Sequence, residues 1–470
     1  MIQLGQLEIN FEKNRAVRQH LQDGDFSLIV EIPLPAKEQP FQLSMLPATE
    51  LAGYAAEESR ITALAITEGF AVGAERHDLG RVIARLREFT DKELIPTVVG
   101  RDLTDERLKG STADLDSAGI ASVLAVTGFA PQTPQRPNGR PGDYMDSTRI
   151  LGEVRKRLPD VLRGAVVNPF KYNVADAYLQ YYKMVRKLNA GADFLVTEAG
   201  WDAKKHQELQ WYLRQRGLAA PVIARLRAVR SEDVVGIIDG EAPGQTLSRE
   251  YATMLQREAA LGDEQAFAAQ LRRLALLAAG CKIFGYSGVQ IAGVLDVEKV
   301  SALIDHIHDT FEELPDYASW LRAWEDFHNR VEPAPYPHSY YLYRNLLTSD
   351  GEYSPDTAKA TKQPLPTPTF REKLAFKTGR ALALQRRHGP LAAPLKRLLC
   401  GTGDAAWQLD KTYYKAASAC PKGLEAGACG GSRPDGSCEL GHGPCFFHHC
   451  LSLARWDNSL ESFESVSDAP

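Results

Sequence analysis

Residues 26–35 read FSLIVEIPLP. An extended chain turns alternate side chains to opposite faces, so Leu28, Ile29, Val30 and Ile32 make both faces of this run apolar. That pattern suits a parallel strand buried on each side, not an antiparallel strand with one wet face. Outward along the chain the same kind of run returns as ALAITEG from Ala63, LIPTVVG from Leu94, ASVLAVTG from Ala121, LRGAVVNPF from Leu162, DFLVTEAG from Asp193, APVIARL from Ala220 and SGVQIAGV from Ser287. Each is followed by a stretch of helical period. Parallel strands joined by crossover helices alternate in this way, and eight such units predict a closed (β/α)8 barrel of the TIM type.

Apolar spacing also places helices. Ile150, Leu151, Val154 and Leu158 form one stripe behind a capping Ser147; Val174, Ala177, Tyr178, Tyr181, Val185 and Leu188 form the next, stopped by Gly191. Phe267, Leu271, Leu274 and Leu277 mark a further helix that should end at Gly280, after one over 248–261. The barrel is expected to occupy residues 1–310. A connecting segment over 311–370 includes the polar stretch TAKATKQPLPTPTF from Thr357, and a smaller helical, cysteine-rich, metal-binding domain is expected over 371–470. The acidic, serine-rich tail after Trp456 should fray.

Composition agrees with two units of this size. The chain has 470 residues, 44% hydrophobic and 24% charged, within the globular range. A net charge of -5 gives no global basic surface, which argues against nucleic acid and leaves a small metabolite as partner. The N-terminus lacks the apolar core of a signal peptide, and no run approaches the roughly 18 apolar residues of a spanning helix. A cytoplasmic protein without a membrane partner is expected, with a homo-oligomer as its assembly.

Barrels of this class carry their functional groups at the C-terminal ends of the strands. The polar residues closing the apolar runs are therefore candidates: Glu31; Thr67 and Glu68; Thr97, Arg101 and Asp102; Thr127 and Gly128; Asn168; Thr197 and Glu198. Glu31 is the sharpest. A carboxyl beside aliphatic residues loses solvation, its pKa rises, and it can hold a proton to deliver near neutral pH. The other reading is a strand-end glutamate that is wet or paired with a lysine. Gly128 either admits a ligand close to the backbone or simply makes a turn.

Of seven cysteines, Cys420, Cys429, Cys438, Cys445 and Cys450 cluster near the end of the chain. The intervening loops are rich in glycine and proline, so the first four thiolates can converge on one ion, with Cys450, His448 or His449 as a substitute ligand. Zinc and an iron–sulfur cluster suit such a set equally. The alternative is reduced thiols in a small core, the reading given to Cys281 and Cys400.

The strings RQHLQDGDFSLIVEIPLP, IPTVVGRDLTDERLKGSTADLDSAGIASVLAVTGFAP and KMVRKLNAGADFLVTEAGWD resemble, in order and spacing, the flavin-dependent methylenetetrahydrofolate reductase barrel over roughly Arg18 to Val300. ACPKGLEAGACGGSRPDGSCELGHGPCFFHHC is similar to the zinc- or iron–sulfur-type C-terminal domain fused to or partnered with some family members. The resemblance implies hydride transfer from NAD(P)H through FAD to a tetrahydrofolate derivative, 5,10-methylenetetrahydrofolate. It further implies Glu31 as general acid, Glu198 binding the N–H groups of a pterin, and flavin contacts from Thr67, Thr97, Thr127 and Gly128. Arg186 and Lys187 match a basic pair that meets the flavin phosphates; by spacing alone they read as a solvated helix face. The chain departs from the family pattern at Phe129, where an aspartate is usual, at Thr97 for a histidine and at Glu198 for a glutamine. Alternatives are a folate-binding or electron-transfer subunit without its own turnover, which would involve a protein redox partner, and a methyltransferase using methyltetrahydrofolate.

Overall fold

The computed structural model describes residues 14–70, 75–129, 144–328, 365–385, 412–413, 420–441 and 443–466, and most of 331–361. Eight parallel strands close into one barrel in chain order: β1 (Ser27–Pro33), β2 (Ala63–Thr67), β3 (Glu93–Val99), β4 (Ser122–Val126), β5 (Leu162–Val167), β6 (Phe194–Thr197), β7 (Val222–Arg227) and β8 (Gly288–Ala292). β1 pairs with both β2 and β8, Glu31 standing opposite Ala65 and Val30 opposite Ile291. The predicted (β/α)8 architecture is the one observed.

The two-residue period sorts each strand. Ile29, Ala63, Ala65, Ile95, Leu124, Leu162, Phe194, Val196 and Ile223 fill the lumen as one cluster. Leu28, Val30, Ile32, Leu64 and Ile66 pack into the helical layer. Glu31 lies two residues beyond Ile29 and so enters the lumen by parity, as Thr67, Thr97, Glu198 and Arg225 do behind Ala65, Ile95, Val196 and Ile223.

Three local expectations need correction. Asp146, not Ser147, caps the helix Ser147–Arg157, its carboxylate accepting from the Thr148 N–H, while Ser147 is a buried first-turn residue. The helix Asp263–Phe284 runs through Gly280 and ends at Gly285. Gly280 is there because the Trp320 ring lies against it: a Cβ would come within 2.5 Å of that ring. The tail is docked, with Phe463 buried and stacked on Tyr182 and Tyr413, and Glu464 paired with Arg216 at 2.8 Å. Gly191, at φ 99°, does follow the end of the helix Val174–Asn189.

The helix Ala203–Gln215 is polar in sequence yet buried on several sides, because residues 340–349 and Gly351 pack across it. Lys205 and Glu208 form a fully buried ion pair at 2.9 Å. Lys205 also donates to the Tyr340 carbonyl, and Glu208 accepts from the Leu342 N–H. Gln207 accepts from the Leu347 N–H and donates to the Gly351 carbonyl. The connecting segment is thus pinned to the barrel by side chains that read as solvent-facing. Among the described residues, no helix is long and apolar enough to cross a membrane.

Removing one partner of a buried pair strands the other charge. Glu208→Ala is therefore expected to lower unfolding free energy by about 3–5 kcal/mol in a denaturant titration, and a loss under about 1 kcal/mol, the range of exposed pairs, would contradict the clamp.

Candidate functional site

Glu31 sits on the lumen floor and accepts four hydrogen bonds: from the Thr67 hydroxyl at 2.8 Å, from Arg225 Nη2 at 2.6 Å and Nε at 2.7 Å, and from Gln290 Nε2 at 2.7 Å. Arg225 also reaches Glu198 at 2.9 Å, so one guanidinium from β7 joins the carboxylates of β1 and β6. Burial pushes the Glu31 carboxyl up, but the Arg225 charge and the hydrogen bonds outweigh it and hold the group below the usual carboxylate value. The expected raised pKa is overturned. Apolar neighbours in sequence predict desolvation correctly, while the compensating cation comes from six strands further on.

Two hollows flank this network. A narrow cavity of about 110 Å³ lies over the lumen, lined by Thr67, Thr97, Thr127, Gly128, Phe129, Asn168, Lys187, Glu198, Arg225 and Gln290, with Cys429 and Gly430 from the C-terminal region. Among the described residues, the Thr97 hydroxyl there has no hydrogen-bond partner. A wider cleft of about 820 Å³ lies over β7, β8, β1 and β2. Glu31 forms part of its wall with Phe70, Arg76, Arg227 and Arg230. The guanidiniums of Arg225 and Arg227 stand 4.4 and 3.8 Å from the centre of the Phe70 ring.

The narrow cavity is small because residues 420–441 roof it. Asn168, Lys171 and Lys183 donate to the carbonyls of Gly430, Ser432 and Ala426, at 3.3, 2.6 and 2.9 Å. Lys422 donates back to the Gly128 carbonyl at 2.8 Å and pairs with Glu439 in a nearly fully buried bridge. Glycines permit the close fit. Gly128 and Gly430 have φ of 85° and 86°, and a Cβ on Gly128 would lie 2.7 Å from the Val99 side chain.

Of the residues that the resemblance assigns to a flavin, Thr67, Thr97, Thr127, Gly128 and Lys187 line this narrow cavity, and Arg186 does not. A space of about 150 Å³ holds one benzene ring, so a three-ring isoalloxazine does not fit in the 110 Å³ beneath the roof. Arg186 and Lys187 are not a solvated face either: Arg186 is buried, and Lys187 Nζ donates to the Val166 carbonyl at 2.5 Å. Burial, aided by Lys183, lowers the Lys187 ammonium to about 8 against the opposing pull of Asp146, Cys429 and Glu198. Phe129, whose carbonyl accepts from Arg101, packs its ring over Gly244.

Cys420, Cys429, Cys438 and Cys445 share one region. Among the described residues, no group of three or more His, Cys, Asp or Glu side chains is placed to hold an ion. Cys429 Sγ donates to Glu439 at 3.4 Å, and burial pushes its thiol up to about 12. Burial likewise raises Cys420 and Cys445, and Cys438 sits in a short hairpin with its N–H on the Gly443 carbonyl. Cys450 is fully buried in the apolar face of the helix Phe446–Trp456. His448 and His449 pair with Asp176 and Glu372, each at 2.8 Å. Cys281 is buried in the core as expected, and Cys400 lies outside the described residues.

Sequence reasoning missed Arg225 and Gln290, the two donors that decide the state of Glu31. Their signal was parity: each is a polar residue inside an apolar run, in phase with lumen residues. Fold and site together define a TIM-type barrel with a charged lumen and a roofed mouth. Residues 17–235 match the family model for methylenetetrahydrofolate reductase. No curated protein sequence matches the chain. A solved structure, that of an uncharacterized protein from Clostridium thermocellum that binds two copies of 5-methyl-5,6,7,8-tetrahydrofolic acid, is similar over 63% of this chain and 99% of its own, at 13% identity and a TM-score of 0.44.

Lys187 is placed to titrate near neutrality. In reductively methylated protein followed by NMR, one dimethyl-lysine resonance, absent from Lys187→Met, should shift with a midpoint near 8. A midpoint near that of free lysine, about 10.4, would refute its burial in the cavity wall.

Proposed function

We propose that this barrel binds a reduced folate, with the wide cleft over β7, β8, β1 and β2 as the entry to its site. The supporting observation is the cleft's chemistry. Its volume, about 820 Å³, falls within the range of about 300–1,000 Å³ usual for small-molecule pockets. An aromatic face is offered by Phe70 and a cation by Arg76, while Arg227 and Arg230 in the same lining are paired with Asp233 and Glu232. A folate carries parts that suit this lining: a flat head for the aromatic face and an anionic glutamate tail for the Arg76 cation. The match of residues 17–235 to the methylenetetrahydrofolate reductase family supports the same ligand class.

That match also favours a second reading, a flavin-dependent oxidoreductase that passes hydride from NAD(P)H to 5,10-methylenetetrahydrofolate. On this reading FAD needs the roof over 420–441 displaced. The visible spectrum of the purified full chain separates the two, flavin bands favouring the oxidoreductase and a colourless protein the folate-binding barrel. Zinc or iron–sulfur binding by Cys420, Cys429, Cys438 and Cys445 is a further proposal and requires the four thiols to close in from their present positions. Metal analysis of the wild type against Cys438→Ser tests it, with loss of bound metal in the variant as the expected result.

Calorimetric titration of the full chain with tetrahydrofolate should show saturable binding. Arg76→Ala should weaken it about tenfold, the equivalent of about 1.4 kcal/mol. Absence of heat in the wild type, or an unchanged affinity in the variant, would count against the cleft as the folate site.

A further inference from the structure

Away from the barrel mouth, unpartnered polar atoms gather at one place behind the cleft wall. The helices Arg249–Ala260 and Asp263–Phe284 bring Tyr251, Glu258 and Arg273 together, and the end of the helix Tyr317–His328 adds His328. Arg273 Nη2 pairs with Glu258 Oε1 at 2.5 Å, and its guanidinium carbon stands 5.5 Å from the centre of the Tyr251 ring and 5.6 Å from that of Phe327. Its charge bears on the Tyr251 hydroxyl and on the His328 ring. Arg273, Tyr251 and His328 are only 3%, 0% and 4% exposed, so bulk solvent does not serve them. Among the described residues, Arg273 Nε and Nη1, Glu258 Oε2, the Tyr251 hydroxyl and His328 Nε2 all lack a hydrogen-bond partner. A buried polar atom without a partner costs free energy, and a cluster of them calls for an occupant.

The kind of each atom decides what that occupant is. The two Arg273 nitrogens donate, and so does the Tyr251 hydroxyl, which burial pushes up to about 12. Glu258 Oε2 accepts. His328 Nδ1 lies 2.9 Å from the Trp324 carbonyl, which can only accept, so Nδ1 carries the proton. Burial and the Arg273 charge bring that ring down to about 4, which leaves Nε2 a bare acceptor. An anion would answer the donors but face the Glu258 carboxylate, and a cation would answer the acceptors but face the Arg273 guanidinium. A small neutral molecule that both donates and accepts answers all five. We infer that this cluster is an interior water-binding site, in which one or two molecules bridge Arg273 and Tyr251 to Glu258 and His328. A buried water makes about three hydrogen bonds, which five atoms supply. The site is independent of the folate reading. Tyr251 packs with Val234 and Ile237, and Ile237 lines the cleft, so the backing of the cleft wall is joined to the outer helices partly through solvent.

Diffraction from crystals of the full wild-type chain soaked in sodium bromide tests this without a variant. The expected result is a water-sized density peak about 2.7–3.2 Å from an Arg273 nitrogen or the Tyr251 hydroxyl and equally close to Glu258 Oε2 or His328 Nε2, with no anomalous bromine signal. An anomalous peak among these side chains would overturn water in favour of an anion. Flat density between them, in a map that shows other interior waters, would overturn the site, as would side chains that close the gap by bonding to one another.

Discussion

A closed eight-stranded cylinder gives each strand residue two directions, the lumen or the helical layer, and the lumen has little room for water. Any charge admitted there must be answered by another side chain. Glu31 and Glu198 enter on β1 and β6, and a single guanidinium on β7 answers both. With Arg225 bound to both carboxylates, its charge and hydrogen bonds hold Glu31 below the usual carboxylate value despite burial. The rest of the mouth is arranged around that bridge, with the narrow cavity on one side and the cleft on the other.

The division between the hollows follows from how the chain returns to its own barrel. Residues 420–441 are held by side chains of the β5 loop and of the helix Val174–Asn189, which reach up to roof carbonyls, and by Lys422 reaching down to Gly128. Hydrogen bonds to backbone carbonyls ask little of the roof's side chains but demand close approach, and the left-handed glycines supply it. Burial, with Glu439 beside Cys429 and Asp176 beside Cys445, pushes these two thiols up. The roof's present construction is that of a lid whose polar atoms are spent on the barrel beneath.

The barrel was legible because both-face apolar runs at regular spacing have few other solutions, and parity then carries Glu31, Thr67, Thr97 and Glu198 into one mouth. What the sequence hid was partnership. That Glu31 would be bound by Arg225 and Gln290 depends on which strands meet across a closed lumen. The buried polar face of the helix Ala203–Gln215 depends on a segment some 130 residues later crossing it, as the Glu208 to Leu342 bond shows with a separation of 134. Gly280 read as a stop because a glycine that ends a helix and one that admits an indole ring look alike in one dimension. Cysteine spacing suggested an ion, but spacing says only that thiols can meet. It does not say whether carboxylates, apolar packing or a metal will claim them.

The Gln290 to Glu31 hydrogen bond joins residues 259 positions apart, one on the first strand and one on the last. Neither the amide nor the guanidinium can reach the carboxylate until the cylinder has shut. In the order of assembly, then, the lumen network is a closing bolt. A chain synthesised from its N-terminus carries Glu31 unanswered through most of its length, and the charge is compensated only when the eighth strand arrives.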